Sequence, residues 1–432
     1  MKTERRPLEL NSDFKYALDL VEKTDCSLFL TGRAGTGKST FLQLFKNTTR
    51  KKAVVLAPTG IAALNVGGQT IHSFFGFPPR YINPDDIRVS RQRKWFEKIE
   101  VLVIDEISMV RADLLDAIDF SLRKHRKNDL PFGGVQVVFI GDLFQLPPVV
   151  SSQEERFLLE NRYESPYFFS AHVMAEAEME MLELRKVYRQ ENRHFLRLLD
   201  AVRLNQIDWE DLEDLNARYN PRFEAPKSWI TLSPYNRSVD AINRRQLANL
   251  PPPEHIYTAT LTGEFDPRQA PAEVVLSLRR GAQVMFVKND PEGRFVNGTI
   301  GEVVGLDPDE VTVRIEDQGN PREVSVERMS WEIIKYKPSE KDENELVAEV
   351  VGTFTQFPLK LAWAITIHKA QGKTFDRVVI DMGRGAFEFG QAYVALSRCR
   401  SLDGIVLLRK LRPEDVKVDD RIVDFYERHF LH

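Results

Sequence analysis

The chain has 432 residues, 42% of them hydrophobic, and so carries apolar material for two or three cores rather than for one ordinary domain. Met1 to Asp13 are charged and lack an apolar h-region, and no stretch approaches the length of a membrane span, which argues against a membrane-spanning helix and leads us to expect a soluble, intracellular chain. Cys26 and Cys399 have neither metal nor redox spacing, so no zinc or disulfide framework is implied, and a net charge of −4 argues against a protein that coats nucleic acid over its whole surface.

In chain order, the first predicted strand, Leu28 to Leu30, runs into Thr31-Gly-Arg-Ala-Gly-Thr-Gly-Lys-Ser-Thr40. Strand, glycine-rich loop and helix in this spacing form a phosphate loop. The small residues Gly32, Ala34, Gly35, Thr36 and Gly37 let backbone N–H groups turn onto phosphates, Lys38 meets their charge, Ser39 holds Mg²⁺, and Thr40 continues into the helix. The loop predicts ATP binding without naming a reaction. Further apolar runs at Ala53 to Ala57, Val101 to Ile104 and Val135 to Ile140 alternate with helical signals, among them Ala112 to Lys127. This alternation predicts an α/β core around a buried parallel sheet.

The strand Val101 to Ile104 ends in Asp105 and Glu106, where an ATPase needs one acid for Mg²⁺ and a neighbour to activate water; we assign Asp105 to the metal and Glu106 to the general base. Gln145, in Gly141-Asp-Leu-Phe-Gln-Leu-Pro-Pro148, is placed at another strand end to sense the γ-phosphate or hold the attacking water. A second α/β region begins near Arg185, includes Trp229 to Leu232, breaks after Pro251-Pro-Pro253 and resumes near Thr353. Between lie short strands at Val284 to Val287, Thr299 to Val304, Val311 to Ile315 and Val324 to Val326, the pattern of a small inserted β-barrel. A phosphate loop needs charge from a facing domain to stabilise the transferring phosphoryl group; Arg189 in Tyr-Arg-Gln190 and Arg398 in Tyr393-Val-Ala-Leu-Ser-Arg are the candidates, with Gln371 and Gly372 beside them.

For nucleic acid, Pro58, Thr59 and Gly60 and the run Thr366, Ile367, His368 and Lys369 are small or polar residues at expected strand ends, suited to phosphate contacts that read no sequence. Thr70, His72, Ser73 and Phe74 extend this face; with Phe75, Phe77 and Tyr81 the aromatic members could stack bases or form a wedge, core packing being the competing reading for each phenylalanine.

The order and spacing of these motifs resemble the Pif (petite integration frequency) DNA helicases, relatives of RecD in helicase superfamily one. The pieces that match are Gly32 to Thr40, Ala57 to Ala63 with Thr70 to Phe75, Asp105-Glu106, Pro131-Phe-Gly-Gly134, Gly141 to Pro148, Tyr188-Arg-Gln190, Ile365 to Gly372 and Tyr393 to Arg398. The resemblance implies an α/β fold of two RecA-like P-loop domains with parallel sheets, residues 1–182 (with a small insertion near 64–82) and 183–279 with 353–432, plus an SH3-like β-barrel at 280–352. It implies ATP and Mg²⁺ between the domains, a DNA strand across both, and a monomer that unwinds 5′ to 3′ on single-stranded and duplex-junction DNA and on G-quadruplexes. Such a chain serves replication, repair, recombination or telomere maintenance, in the bacterial cytoplasm at the nucleoid or in the nucleus or mitochondrion of a eukaryote. A translocase that strips bound proteins and a nucleotide-gated DNA-binding scaffold remain the alternatives. One position departs from the superfamily pattern: where a glutamine upstream of the phosphate loop would read adenine, the first glutamine is Gln43 and Phe14 stands near the expected place, which predicts weak discrimination among nucleoside triphosphates.

Overall fold

The computed structural model describes residues 11–78, 80–83, 87, 93–150, 152–190, 192–267, 270–317, 320–338 and 346–431. Six strands build the first lobe: β1 (Ser27–Gly32), β2 (Ala53–Ala57), β3 (Gln69–Thr70), β4 (Val101–Asp105), β5 (Gln136–Ile140) and β6 (Met179–Leu184). They pair in the order β3-β2-β4-β5-β1-β6, every neighbour parallel. Successive side chains of a strand point to opposite faces, so a sheet covered on both sides needs apolar residues at consecutive positions. Leu28, Leu30, Val101 and Val103 pack on one face with Phe14, Phe41 and Phe45, which come from the helices Ser12–Lys23 and Lys38–Thr48. Phe29, Leu102 and Ile104 pack on the other, against Leu115, Ile118 and Leu122 of the helix Ala112–Arg126. The segment expected as an insertion near 64–82 instead contributes the edge strand β3 and the short helix Ile71–Phe75. A two-residue strand carries no period that a sequence could display.

The sheet of the second lobe opens with β7 (Ile230–Ser233), and the chain then leaves it for a long insert. The insert holds β8 (His255–Thr258), β9 (Thr260–Gly263), β10 (Val275–Leu278), β11 (Gln283–Phe286), β12 (Ile300–Leu306), β13 (Val311–Asp317), β14 (Asn320–Val326), β15 (Met329–Pro338), β16 (Leu346–Gln356) and β17 (Leu359–Leu361). β18 (Ala364–Thr366), β19 (Val378–Ile380) and β20 (Ile405–Leu407) then return to β7 in a parallel sheet of order β18-β7-β19-β20.

The limits 280–352 do not hold for the insert. The four expected strands pair as β14-β13-β12-β11, and the sheet is completed by β17, beyond residue 352. Its core, with Leu276, Val284, Phe286, Val303 and Val313, is separate from those of the lobes. The hairpin β15–β16 belongs to another sheet, pairing through β16 with β9, so Thr353 lies inside the insert rather than at the return to the second lobe. Pairing across about 90 residues, as between Thr353 and Thr262, has no local signature.

Candidate active site

In parallel α/β sheets the loops that can meet a ligand leave the carboxyl ends of the strands. Here β1 delivers the phosphate loop, β4 delivers Asp105 and Glu106, and β5 delivers the Gly141–Pro148 loop, all from neighbouring positions in one sheet. The loop closes at Gly37, whose φ of 94° lies in the left-handed region and leads directly into the helix Lys38–Thr48. Lys38 Nζ donates to the carbonyls of Gly32 (2.5 Å) and Arg33 (3.1 Å), and withdrawal from water lowers its pKa. Thr36 turns its hydroxyl back to the Arg33 carbonyl, 2.9 Å away.

The two acids are held as an uneasy pair. Asp105 is raised above the ordinary carboxylate range chiefly by removal from water, and Glu106 by the same burial and then by the Asp105 charge. Glu106 adopts the left-handed backbone, with φ of 52°, an uncommon conformation for a side-chain-bearing residue. Its Oε2 accepts a hydrogen bond from Gln371 Nε2 of the second lobe at 3.1 Å.

The second lobe brings its arginines to the same place. Arg398 is 1% exposed; its Nε donates to the Val394 carbonyl (3.0 Å) and Nη2 to Ser397 Oγ (2.8 Å), which fixes the guanidinium at the end of the helix Gln391–Ser397. Arg189 Nη1 donates to the Ser397 carbonyl at 3.1 Å, and burial, followed by the charge of Arg398, brings its pKa down to about 9. A cavity of about 850 Å³ is lined by Ala34, Gly35, Gly37, Lys38, Ser39, Thr40, Glu106 and Gln145 from one lobe and by Arg189, Gly372 and Arg398 from the other side. Gly32, Thr36, Asp105 and Gln371 stand behind this lining rather than in it.

Phe14, 3% exposed, and Tyr188 wall the cavity near the helix start; a Cβ on Gly37 would lie 2.9 Å from the Phe14 ring. Tyr188, Lys186, Thr374 and Arg400 line the cavity without having been assigned a role from sequence. Tyr188 stands inside the quoted Tyr-Arg-Gln run, a signal that could have drawn it in; for Arg400 there was none.

The nucleic-acid candidates gather on short helices. Thr59, Thr70 and Thr366 each end a strand or its loop and cap the following helix, accepting from the N–H groups of Ala62 (3.2 Å), Ser73 (3.3 Å) and Lys369 (3.3 Å). Each hydroxyl oxygen thus accepts from the backbone while its O–H remains a donor, and Thr366 is only 4% exposed. Pro58, Gly60 and His72 are partly exposed, and Ser73, His368 and Lys369 are exposed. Lys360 lies beside Lys369, and burial together with that neighbouring charge moves its pKa down to about 8.

Phe74 is corrected from the stacking group. It is 7% exposed and meets Trp95 edge-on at 5.0 Å and Tyr336 at 5.9 Å, because four aromatic neighbours, these two with Phe75 and Phe96, offer it more burial than an exposed strand could. Tyr336 belongs to β15, whose backbone also reaches Gln69, so the hairpin rests on the Gly60–Ser73 face of the first lobe.

Two parallel sheets, with a phosphate loop on one, Arg398 from the region of the other and Arg189 from the segment between them turned into a shared cavity, define a two-lobed P-loop nucleotide-binding protein. The family model for PIF1-like helicases matches residues 9–212. The ATP-dependent DNA helicase Pif1 of Bdellovibrio bacteriovorus is 34% identical over 98% of this chain and 92% of its own length. Human ATP-dependent DNA helicase PIF1 is 36% identical over 93% of this chain, which spans 61% of the human protein. Bacteroides Pif1 in complex with ADP-AlF4 matches at a TM-score of 0.90 and 38% identity, over 98% of both chains; its form bound to single-stranded DNA matches at 0.69, over 97% of this chain and 96% of that one. The chain belongs to the Pif1-like helicase family.

Proposed function

We propose that this protein is an ATP-dependent DNA helicase that moves 5′ to 3′ along a single strand and opens duplexes, with forked junctions and G-quadruplexes among its substrates and a single chain as the working unit. One observation carries the reading: Lys38 and Glu106 of the first lobe and Arg189 and Arg398 of the second line one cavity, so hydrolysis can be felt by both lobes at once. A carboxylate raised by burial suits proton abstraction, which supports Glu106 as the base that takes a proton from the attacking water. Arg189 and Arg398 stabilise charge on the transferring phosphoryl group, Gln145 reads the γ-phosphate, and Gly372 lies where the lobes meet.

Ser39 and Asp105 offer hydroxyl and carboxylate oxygens, the hard donors that Mg²⁺ takes. Among the described residues no group of three His, Cys, Asp or Glu side chains is disposed to hold a metal, which fits an ion whose other positions are filled by phosphate and water. When bound, Mg²⁺ neutralises phosphate charge; Ser39 and Asp105 would hold it, while Lys38 and the loop N–H groups orient the phosphates.

ATP draws the lobes together and its loss releases them, and the Pro58–Gly60 and Thr366–Lys369 loops grip the strand in alternation. Opening a base-pair step costs roughly 1.4 kcal/mol of stacking, a load that one directed step per hydrolysis can exceed. Strand separation on duplexes carrying a 5′ or a 3′ tail tests the reading. Unwinding of the 5′-tailed duplex alone is the expected result; unwinding of the 3′-tailed one reverses the polarity, and translocation without unwinding favours a protein-stripping translocase.

A further inference from the structure

Tyr393 sits in the second lobe on the helix Gln391–Ser397, 3% exposed, and its ring alone would satisfy the packing there. Its hydroxyl does something that packing does not require. It accepts the backbone N–H of Ala34 in the phosphate loop at 2.9 Å and donates to Asp142 Oδ2 at 3.2 Å. The same Asp142 oxygen accepts Gln145 Nε2 at 3.0 Å, while Oδ1 faces the Arg203 guanidinium at 3.5 Å. Arg203 is itself held between the rings of Phe144 (4.4 Å) and Tyr426 (4.9 Å), so Asp142 is seated on a fixed cation. The two chains of contacts join residues some 250 to 360 positions apart. The approach is tight on the backbone side too: a Cβ on Gly390, one turn before Tyr393, would lie 2.2 Å from the Gln145 carbonyl.

Burying a hydroxyl is unfavourable unless its hydrogen bonds are made, and here both are made across the lobe boundary. Arg398 Nε is bonded to the carbonyl of Val394, the residue after Tyr393, so a shift of this helix carries the guanidinium with it. Resting on the hydrolase reading above, we propose that the Tyr393 hydroxyl is a positioning group that reports the state of Gln145 and the phosphate loop, through Asp142, to the seat of Arg398. When the Gln145 amide turns to a γ-phosphate, Tyr393 becomes the sole side-chain donor to Asp142 Oδ2, while Oδ1 stays with the Phe144 N–H (3.3 Å) and Arg203, and the helix is drawn more firmly onto the loop. Loss of the γ-phosphate returns the amide to Asp142 and loosens the tyrosine.

The test is Tyr393→Phe, which keeps the ring and removes the two hydrogen bonds. DNA-stimulated ATP turnover is expected to lose about tenfold in kcat, equivalent to about 1.4 kcal/mol. The KM for ATP and the Kd of a fluorescent ADP analogue should stay within about twofold, since the groups that hold the nucleotide remain. Asp142→Asn should lower kcat in the same way, and Tyr393→Phe should cost nothing further in an Arg398→Ala background, because it acts through that arginine. Wild-type kcat in Tyr393→Phe beside an inactive Lys38→Ala overturns the tyrosine's role alone, as does a full additional loss in the double variant, or ADP affinity falling in step with kcat. Turnover that is equally absent from the wild type and Lys38→Ala overturns the hydrolase reading instead.

Discussion

The cleft and the proposed nucleic-acid face are built by opposite means. On the face, the hydrogen bonds of Thr59, Thr70 and Thr366 reach three residues along the chain, so each small helix satisfies its own first turn and keeps its shape without help from the other lobe. In the cleft, Gln371 bonds Glu106 across 265 positions and Arg189 bonds the Ser397 carbonyl across 208, while two carboxylates and two arginines are held away from their ordinary pKa values. A locally satisfied loop is a stable surface on which a strand can slide. A cleft whose buried charges answer one another partly across the lobe boundary gains from closure around a charged ligand, which is what a nucleotide-driven machine requires.

The sharpest break of this contrast is Arg398→Ala. Hydrolysis should fall by at least about 10³, as for other arginines supplied across a cleft. Steady-state turnover with single-stranded DNA measures it, and an unchanged rate removes Arg398 from the reaction.

Glu106→Gln comes next, with an expected loss of about 10² or more in turnover and ATP retained in the site. The wild-type rate should rise as pH increases through about 7, because only the carboxylate can accept a proton, and the variant should lose this limb. The stability effect runs the other way. Since the folded pKa is raised above the ordinary value of 4.5, the contribution is fully present below about 4.5 and is lost as pH rises through about 7. Thermal melts of the nucleotide-free protein should therefore favour Glu106→Gln at pH 8 and converge with wild type toward pH 5; a lower midpoint at pH 8 contradicts the assigned cause.

On the other side of the comparison, Thr366→Ala should cost about 1 kcal/mol of stability through the lost cap, with Thr366→Ser restoring it. Affinity for single-stranded DNA should change little, as the side chain is buried beneath the helix start it caps. A large loss of affinity with unaltered stability would instead make the hydroxyl a phosphate ligand.

The smallest effect concerns the base. Phe14 and Tyr188 put rings on the cavity wall near the helix start, where the superfamily pattern expects a base-reading glutamine, and contact by ring faces separates related ligands by no more than about 10²-fold. GTP, CTP and UTP should all support turnover; complete inertness of the three rules the idea out.

Much of this is legible in the sequence. The helix expected over Ala112 to Lys127 is found at Ala112–Arg126, and strands β1, β2, β4 and β5 coincide with apolar runs, because burial on both faces writes itself as consecutive valine, leucine and isoleucine. β3 and β6 were not visible: the first has two residues, and the second interleaves Glu180 and Glu183 with its apolar side chains. Phe74 could not be told from a base-stacking ring, since the difference lies in Trp95 and Tyr336, neighbours that a linear motif does not contain.

The sequence by itself determined the chemistry available: a loop shaped by glycine, a paired Asp105-Glu106 at a strand end, and arginines in short motifs far downstream, each specified by local spacing. Tertiary structure decided what those groups do to one another. It set Arg398 and Lys38 around one cavity, raised the Glu106 carboxyl by withdrawing water, attached β17 and the β15–β16 hairpin to different sheets, and turned the Tyr393 hydroxyl onto the phosphate loop. The physical reason is range: backbone conformation and burial pattern are fixed within a few residues, whereas desolvation and partner choice depend on groups brought together from hundreds of residues away.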